Sequence, residues 1–293
     1  MIWLQVLLLI GGLALIVFGA DWLVDGASGI ARRFGLSEFV IGLTIVGMGT
    51  SAPEMVVSFI GAFQGNADIA IGNVVGSNIM NTLLILGLTA LILPMAVTPS
   101  NKKRDIPVNI LITVLLIVLG LEMTLFGIGR DGLSRWDGGI LLAVFIAYMV
   151  MSFKGNHPDE DEKPAKQRSI WLYLLMIAGG LAGLIIGGNL FVDNATELAT
   201  CVVAAAKKKG QLALGNIIGS NVFNILLILG GSALIDPLSF DHITYVDLGV
   251  LLVSALALAS ALVVGKKDKI DRLDGSLFLL IWAAYMAYLI ANL

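Results

Sequence analysis

The sequence predicts an all-α polytopic membrane protein of about ten transmembrane helices in two inverted five-helix repeats. Three observations carry that fold class. Of 293 residues, 58% are hydrophobic and 13% charged, against about 25% charged in soluble domains. Apolar runs long enough to span a bilayer recur along the whole chain. The chain also repeats itself. The same composition excludes other classes. One cysteine, Cys201, forbids an intrachain disulfide, and two histidines, His157 and His242, leave no cluster for zinc or haem, so any metal must be held by oxygen. A net charge of -3 gives nucleic acid nothing to bind.

Taken in order, residues 3–24, 39–63, 69–93, 106–126 and 138–153 form five spans. Residues 154–170 follow as a linker, whose Asp159, Glu160, Asp161 and Glu162 read as a solvated loop. Residues 171–192, a curtailed run 195–206, then 212–235, 245–265 and 277–293 complete the second set. The first repeat is thus 1–153 and the second 171–293. The first run lacks a basic leader and is too long for a signal peptide, so it reads as retained in the membrane. An outside N-terminus puts Arg32, Arg33, Lys102, Lys103, Arg104, the linker, Lys207, Lys208, Lys209, Lys266, Lys267 and Lys269 in the cytoplasm, and only Arg130 and Arg135 outside. That asymmetry satisfies the positive-inside rule and places the chain as a multi-pass protein of the plasma (inner) membrane. Trp3, Trp136 and Trp171 suit an interfacial belt.

The repeat is read directly. Residues 72–87 are GNVVGSNIMNTLLILG and residues 215–230 are GNIIGSNVFNILLILG, identical at eleven of sixteen positions. Asp25 answers Asp193 in the first spans, and Arg135, Asp137, Gly138 and Tyr148 answer Arg272, Asp274, Gly275 and Tyr285 in the fifth. Five spans per copy is an odd number, so the second copy is inverted, the arrangement of secondary transporters with midplane sites on broken helices. The spacing exposes a deficit. Asp25 and Asp193 lie 168 apart, whereas Glu54 and Glu197, like Gly72 and Gly215, lie 143 apart, so the second copy lacks 25 residues, the counterpart of Ser28 to about Pro53. The run that remains is about 18 Å of helix against a hydrocarbon core of roughly 30 Å. Two readings stay open: a segment lost from the sequence as given, or a natural or engineered deletion. The loop charges need a crossing there and favour the first.

The chemistry sits in the second and third spans. Pro53 removes a backbone donor and clashes with the carbonyl of Gly49, in a helix already loosened by Gly47 and Gly49, so the helix should break there. Freed carbonyls at membrane depth are tolerated where they line a cavity or hold an ion. Thr50, Ser51 and Glu54 stand beside them, and Thr50 and Glu54, four apart, share a helix face. In the third span Ser77 and Asn81 are likewise four apart, beside Asn78, with Gly72 and Gly76 allowing close backbone approach. The second copy adds Glu197, Ser220, Asn221 and Asn224. A carboxylate at the bilayer centre costs about 2.5–3.5 kcal/mol and marks a functional site by default. Two facing glutamates need a cation between them, and calcium takes six to eight oxygens. One divalent ion, two sodium ions or two protons neutralise such a pair equally, which favours exchange over leak.

The segments GTSAPE at residues 49–54, GNVVGSN at 72–78 and GNIIGSN at 215–221 resemble the cation/calcium exchanger superfamily, most closely the prokaryotic sodium/calcium exchanger-like proteins. The resemblance covers nearly the whole chain. It implies an antiporter moving calcium against sodium by alternating access, with proton or potassium coupling as the alternative. It also implies that Glu54 and Glu197 are the principal ligands and that Thr50 adds its carbonyl and hydroxyl. Ser51, Ser77, Ser220 and the carbonyl of Gly47 would line sodium sites, with Asn81 and Asn224 closing the centre. Many members carry an aspartate where this chain has one of those two asparagines. The second copy also has no counterpart of Gly47, Thr50, Ser51 and Pro53, and Thr196 stands where the proline would be. No cofactor is expected; calcium and sodium are transported ions.

Other readings are plainer. Asp21, Asp25, Glu122, Asp193 and Asp247 lie near span ends and suit an interface, and Cys201, aligned with Ser58, suits packing. The string Gly26, Ala27, Ser28, Gly29 raises an intramembrane serine protease, an enzyme class that needs a base near Ser28, and both histidines lie in loops. A transporter of an organic solute would need an apolar pocket and a substrate-specific charge partner, neither of which the sequence displays.

Overall fold

The computed structural model describes residues 2–65, 67–127, 129, 131–154, 169–191, 200–201, 203–204, 207–240, 243–261 and 268–292. They are mostly helical. Helix α1 spans Ile2–Phe34 and runs ten residues past the apolar run that marks it in the sequence, ending on Arg32 and Arg33, whose charge suits a helix C-terminus. Then come α2, Glu38–Thr50, and α3, Ala52–Phe63, which are bent by 50° from one another. Helix α4 covers Ile69–Ile92. Helix α5, Ile106–Gly120, and the short α6, Glu122–Phe126, divide what reads as one span in the sequence. The interruption is at Leu121, and Gly127 at φ 70° closes α6 in a left-handed conformation that favours glycine. The order continues with α7, Arg135–Lys154, α8, Ile170–Phe191, α9, Gly210–Ile235, α10, Tyr245–Ser260, and α11, Arg272–Ala291.

Among the described residues, α4, α7, α9 and α11 are each long and apolar enough to cross a membrane, and α2 with α3 make a fifth, broken span. Residues Ile170–Ile186 of α8, and α10, are shorter apolar helices. Of the curtailed run, Thr200, Cys201, Val203 and Ala204 are described and helical. Glu197, Thr196 and Asp193 lie outside the described residues, as do Arg130, Lys266, Lys267, both histidines and most of the linker.

The helices pack through bare backbone. A Cβ on Gly215 or Gly219 of α9 would come within 2.3 Å of the carbonyl oxygen of Phe39 or Leu43 on α2, and one on Gly42 within 2.4 Å of Leu212 O. The same kind of contact joins α7 to α9 at Gly138 and Gly230, and α4 to α11 at Gly275 and Gly87. Those two seams are counterparts, since Gly87 answers Gly230 and Gly138 answers Gly275 in the repeat. Two short ribbons behave alike. Strand β1, Met95–Ala96, pairs antiparallel with β4, Lys269–Ile270, while β2, Gly132–Leu133, pairs with β3, Leu238–Ser239. The Tyr148 hydroxyl donates to Asp105 at 3.1 Å, and its counterpart Tyr285 donates to Asp247 at 2.6 Å.

Candidate cation site

The site begins at the break between α2 and α3. Ser51, 2% exposed, sits there at φ -87°, ψ 6°. Pro53 falls in the first turn of α3, where a missing N–H leaves no helix bond unmade. The break therefore precedes the proline and spares the carbonyl clash that an unbroken helix would impose. On the α2 side, residues Gly42–Val46 wind as a π-helix. Thr50 Oγ1 lies 3.0 Å from Val46 O, 3.3 Å from Gly47 O, 3.0 Å from Asn216 Oδ1 and 3.4 Å from Ser220 Oγ. Ser220 Oγ is 3.5 Å from Gly47 O. Thr50, Ser220 and the Gly47 carbonyl thus converge, and the hydroxyl's one proton leaves a surplus of oxygen lone pairs.

On the α3 side, Glu54 is 5% exposed in the first turn of the helix, where the helix dipole favours its negative charge. Ser77 Oγ of α4 stands 3.5 Å from Glu54 Oε1. Asn73 Nδ2 donates to Glu54 O and to Ser58 Oγ, both at 3.1 Å.

Between α4 and α9 runs an amide lattice. Asn224 Nδ2 donates to Asn78 Oδ1 at 2.9 Å, Asn78 Nδ2 to Asn221 O at 3.3 Å, and Asn221 Nδ2 to Thr82 Oγ1 at 2.9 Å. Asn81 and Asn224 both sit in π-helical turns, Met80–Ile85 and Phe223–Leu229, a feature frequent at functional sites. Asn81 is 1% exposed, and neither its Oδ1 nor its Nδ2 has a hydrogen-bond partner among the described residues; Asn224 Oδ1 is in the same position. Leaving such a group unsatisfied costs about 1–3 kcal/mol, so these atoms are suited to an ion or its water.

The structure therefore places Gly47, Thr50 and Ser220 in one group, Glu54 and Ser77 in another, Ser51 at the hinge joining them, and Asn81 and Asn224 on the helices that cross between. Glu197 lies outside the described residues. Among the described residues no three His, Cys, Asp or Glu side chains gather, so the oxygens assembled are one carboxylate with hydroxyls, amides and carbonyls.

One expectation is corrected. Among the described residues Gly72 and Gly76 make no close backbone approach: a Cβ on either meets none of their atoms within 4 Å. They line a cavity of about 450 Å³ together with Glu54, Asn73, Ser77 and Met80. Their counterparts Gly215 and Gly219 are covered by α2, and α2 falls wholly within the stretch from Ser28 to about Pro53 that the second copy lacks.

Sequence reasoning missed Asn73 and Asn216. Both are the second letter of the duplicated motif and stand four residues before Ser77 and Ser220, hence on the same helix face. That spacing was the available signal. Asn216 Nδ2 reaches Cys201 Sγ at 3.4 Å, as Asn73 reaches Ser58, so the cysteine fills a serine's place in the lattice. Ser28 is wholly buried, and no histidine is described near it.

The family model described as "Sodium/calcium exchanger protein" matches residues 4–154 and 174–291. The sodium/calcium exchanger MaX1 of Methanosarcina acetivorans is 30% identical, over 99% of each chain. The inner membrane protein YrbG of Escherichia coli is 34% identical, over 86% of each. The sodium-calcium exchanger NCX_Mj, solved after soaking with sodium and strontium, superposes with a TM-score of 0.84 at 32% identity, covering 98% of this chain and 99% of its own. The two named exchangers are transporters, not enzymes. The chain belongs to the sodium/calcium exchanger family and is a membrane cation antiporter.

Proposed function

We propose that the chain exchanges sodium for calcium by alternating access, at a midplane site whose first-copy ligands are Glu54, Thr50, Ser51, Ser77, Asn81 and the Gly47 carbonyl, and whose second-copy ligands are Glu197, Ser220 and Asn224. The observation that carries this reading is a buried carboxylate, Glu54, held in the first turn of a helix broken at Ser51 and faced by Ser77. Its charge in a low-dielectric surround is tolerable when a cation accompanies it. That requirement links arrival of one ion to departure of another. The relatives' names add sodium and calcium as the exchanged pair.

The recurrence of glycine seams, ribbons and Tyr–Asp pairs at repeat-related positions supports two inverted halves, 1–153 and 171–293, joined by the linker 154–170. The ten-span count follows from that symmetry together with the loop charges. The proposed localisation is the plasma membrane with the N-terminus outside, and the ends of α9 support the separation of basic residues on which that orientation rests. Lys209, just before it, pairs with Glu38, whereas Arg135 donates to Ile235 O at its far end, about 39 Å away for a helix of 26 residues. Lys102, paired with Asp268, shares the Lys209 end, because Gln211 there bonds the carbonyl of Ala96.

In proteoliposomes, sodium-dependent calcium uptake should fall to background in Glu54→Gln and in Glu197→Gln. Retained transport in either variant removes that residue from the site. Asparagine at both positions 81 and 224 leaves few acids at the centre and favours one second reading, coupling to protons or potassium. Uptake driven by a pH or potassium gradient instead of sodium distinguishes it.

A further inference from the structure

We infer that the cavity beside Glu54 is a binding site for an amphiphilic organic cation, an ammonium carried on an apolar body, distinct in chemistry from the small inorganic ions of the exchange site. The cavity holds about 450 Å³, within the range of about 300–1,000 Å³ that small-molecule sites occupy and far larger than a calcium or sodium ion requires. Its polar end is Glu54, with the Ser77 hydroxyl and Asn73 beside it. Both donor protons of the Asn73 amide have partners in Glu54 O and Ser58 Oγ, which leaves its oxygen as an acceptor. A carboxylate flanked by acceptor oxygens matches the three donors of a primary ammonium.

The other side chains among the described lining residues are apolar: Pro53, Val56, Val57, Met80 and Ile185, with Ala52. Methionine adapts to irregular partners. Val56 and Val57 are 54% and 45% exposed on α3, so the mouth opens where lipid would lie, and a ligand that partitions into the bilayer reaches it sideways. Gly72 and Gly76 line it as bare backbone, and among the described residues a Cβ on either meets nothing within 4 Å. At the repeat-related place on α9 the same glycines are sealed by α2.

The test uses the full chain in detergent micelles and dansylcadaverine, a fluorescent group on a five-carbon primary amine, as probe. A saturable, single-site rise in fluorescence is expected. It should weaken at least tenfold in Glu54→Gln, which removes the charge, and in Gly76→Leu, which fills the cavity from a position with room for a side chain. Should Gly76→Leu fail to fold, Val57→Trp, at an exposed position on the mouth, blocks entry instead. A dansylated carboxylic acid of the same length should not bind. An unsaturable rise, or equal affinity in the parent, Glu54→Gln and both filling variants, overturns the inference. Amine binding that excess calcium fails to displace upholds the cavity site and counts instead against Glu54 as an exchange ligand, so the two readings fail separately.

Discussion

Gly219 and Gly76 occupy the same letter of the duplicated motif, yet alanine at the two positions should have opposite effects. A methyl on Gly219 would lie 2.3 Å from Leu43 O and 2.8 Å from Leu43 Cα, where ordinary van der Waals contact begins at 3.4 Å. To accept it, α2 and α9 must part by roughly 1 Å, a gap that forfeits a quarter to a half of the dispersion attraction of each atom pair along the seam. Overpacking costs about 1–3 kcal/mol, and the upper end applies because both sides of the contact are backbone and cannot turn aside. Alanine regains about 1 kcal/mol of helix propensity over glycine, leaving Gly219→Ala destabilised by about 2 kcal/mol. Gly76→Ala meets nothing within 4 Å among the described residues and should be neutral or stabilised by up to about 1 kcal/mol. The two variants should thus differ by about 3 kcal/mol, more than a hundredfold in the folding equilibrium. Denaturant unfolding of the purified full chain in mixed micelles, followed by tryptophan fluorescence, measures the difference. Equal losses would mean that a helix does cover Gly76; equal tolerance would mean that the α2–α9 seam is loose. Either result refutes the packing argument.

Asn81→Leu should hold or raise stability, by about 1–2 kcal/mol, because it removes two buried polar atoms without protein partners; calcium binding measured on the same preparation should fall, and unchanged binding would exclude Asn81 as a ligand. Lys207 lies 2.7 Å from both Asp21 and Asp25. Burial alone lowers its pKa, but hydrogen bonds and charges from the two aspartates outweigh it and raise it above the ordinary 10.5. Its contribution to stability is therefore present below the usual lysine range and lost as pH rises through the raised value. The melting temperature of the parent should drop more than that of Lys207→Met between about pH 9 and 12, and parallel curves would dismiss the ion pair. Inserting a copy of residues 28–52 between Ala195 and Thr196, which restores the first copy's spacing of 29 from Asp193 to the glutamate, should lay a helix over Gly72 and Gly76 and make Gly76→Ala more destabilising than in the parent; unchanged tolerance would show that the inserted segment folds elsewhere.

Much of the site is legible in the sequence because it is written twice. The duplicated motif singles out Ser77, Asn81, Ser220 and Asn224, and Pro53 after two glycines marks the break that brings Glu54 into a helix's first turn. Other features are not legible for physical reasons. The π-turns at Asn81 and Asn224 carry no residue that distinguishes them from α-helix, since they arise from tertiary packing. The length of α1 is hidden because a helix need not be apolar to continue, and its last turns are anchored by residues far away in the chain. Whether a glycine is covered or open depends on which helix lies over it, and the motif is alike in both settings.

The ribbons and seams have a consequence for how the protein is made. Strand β1 finds its partner in β4 and β2 in β3, while α1 meets α8, α2 meets α9, and α4 meets α11. In every pair one member comes from each side of the linker. When the ribosome has released only the first side, its close-packing faces have nothing to close against, and they must stay in the lipid, unsealed, until the second side is inserted. Maturation is then gated by the end of translation. The same interlacing lets the linker be cut without parting the molecule: two separately synthesised pieces, 1–154 and 169–293, carry matching halves of each clasp and have the means to find one another in the membrane.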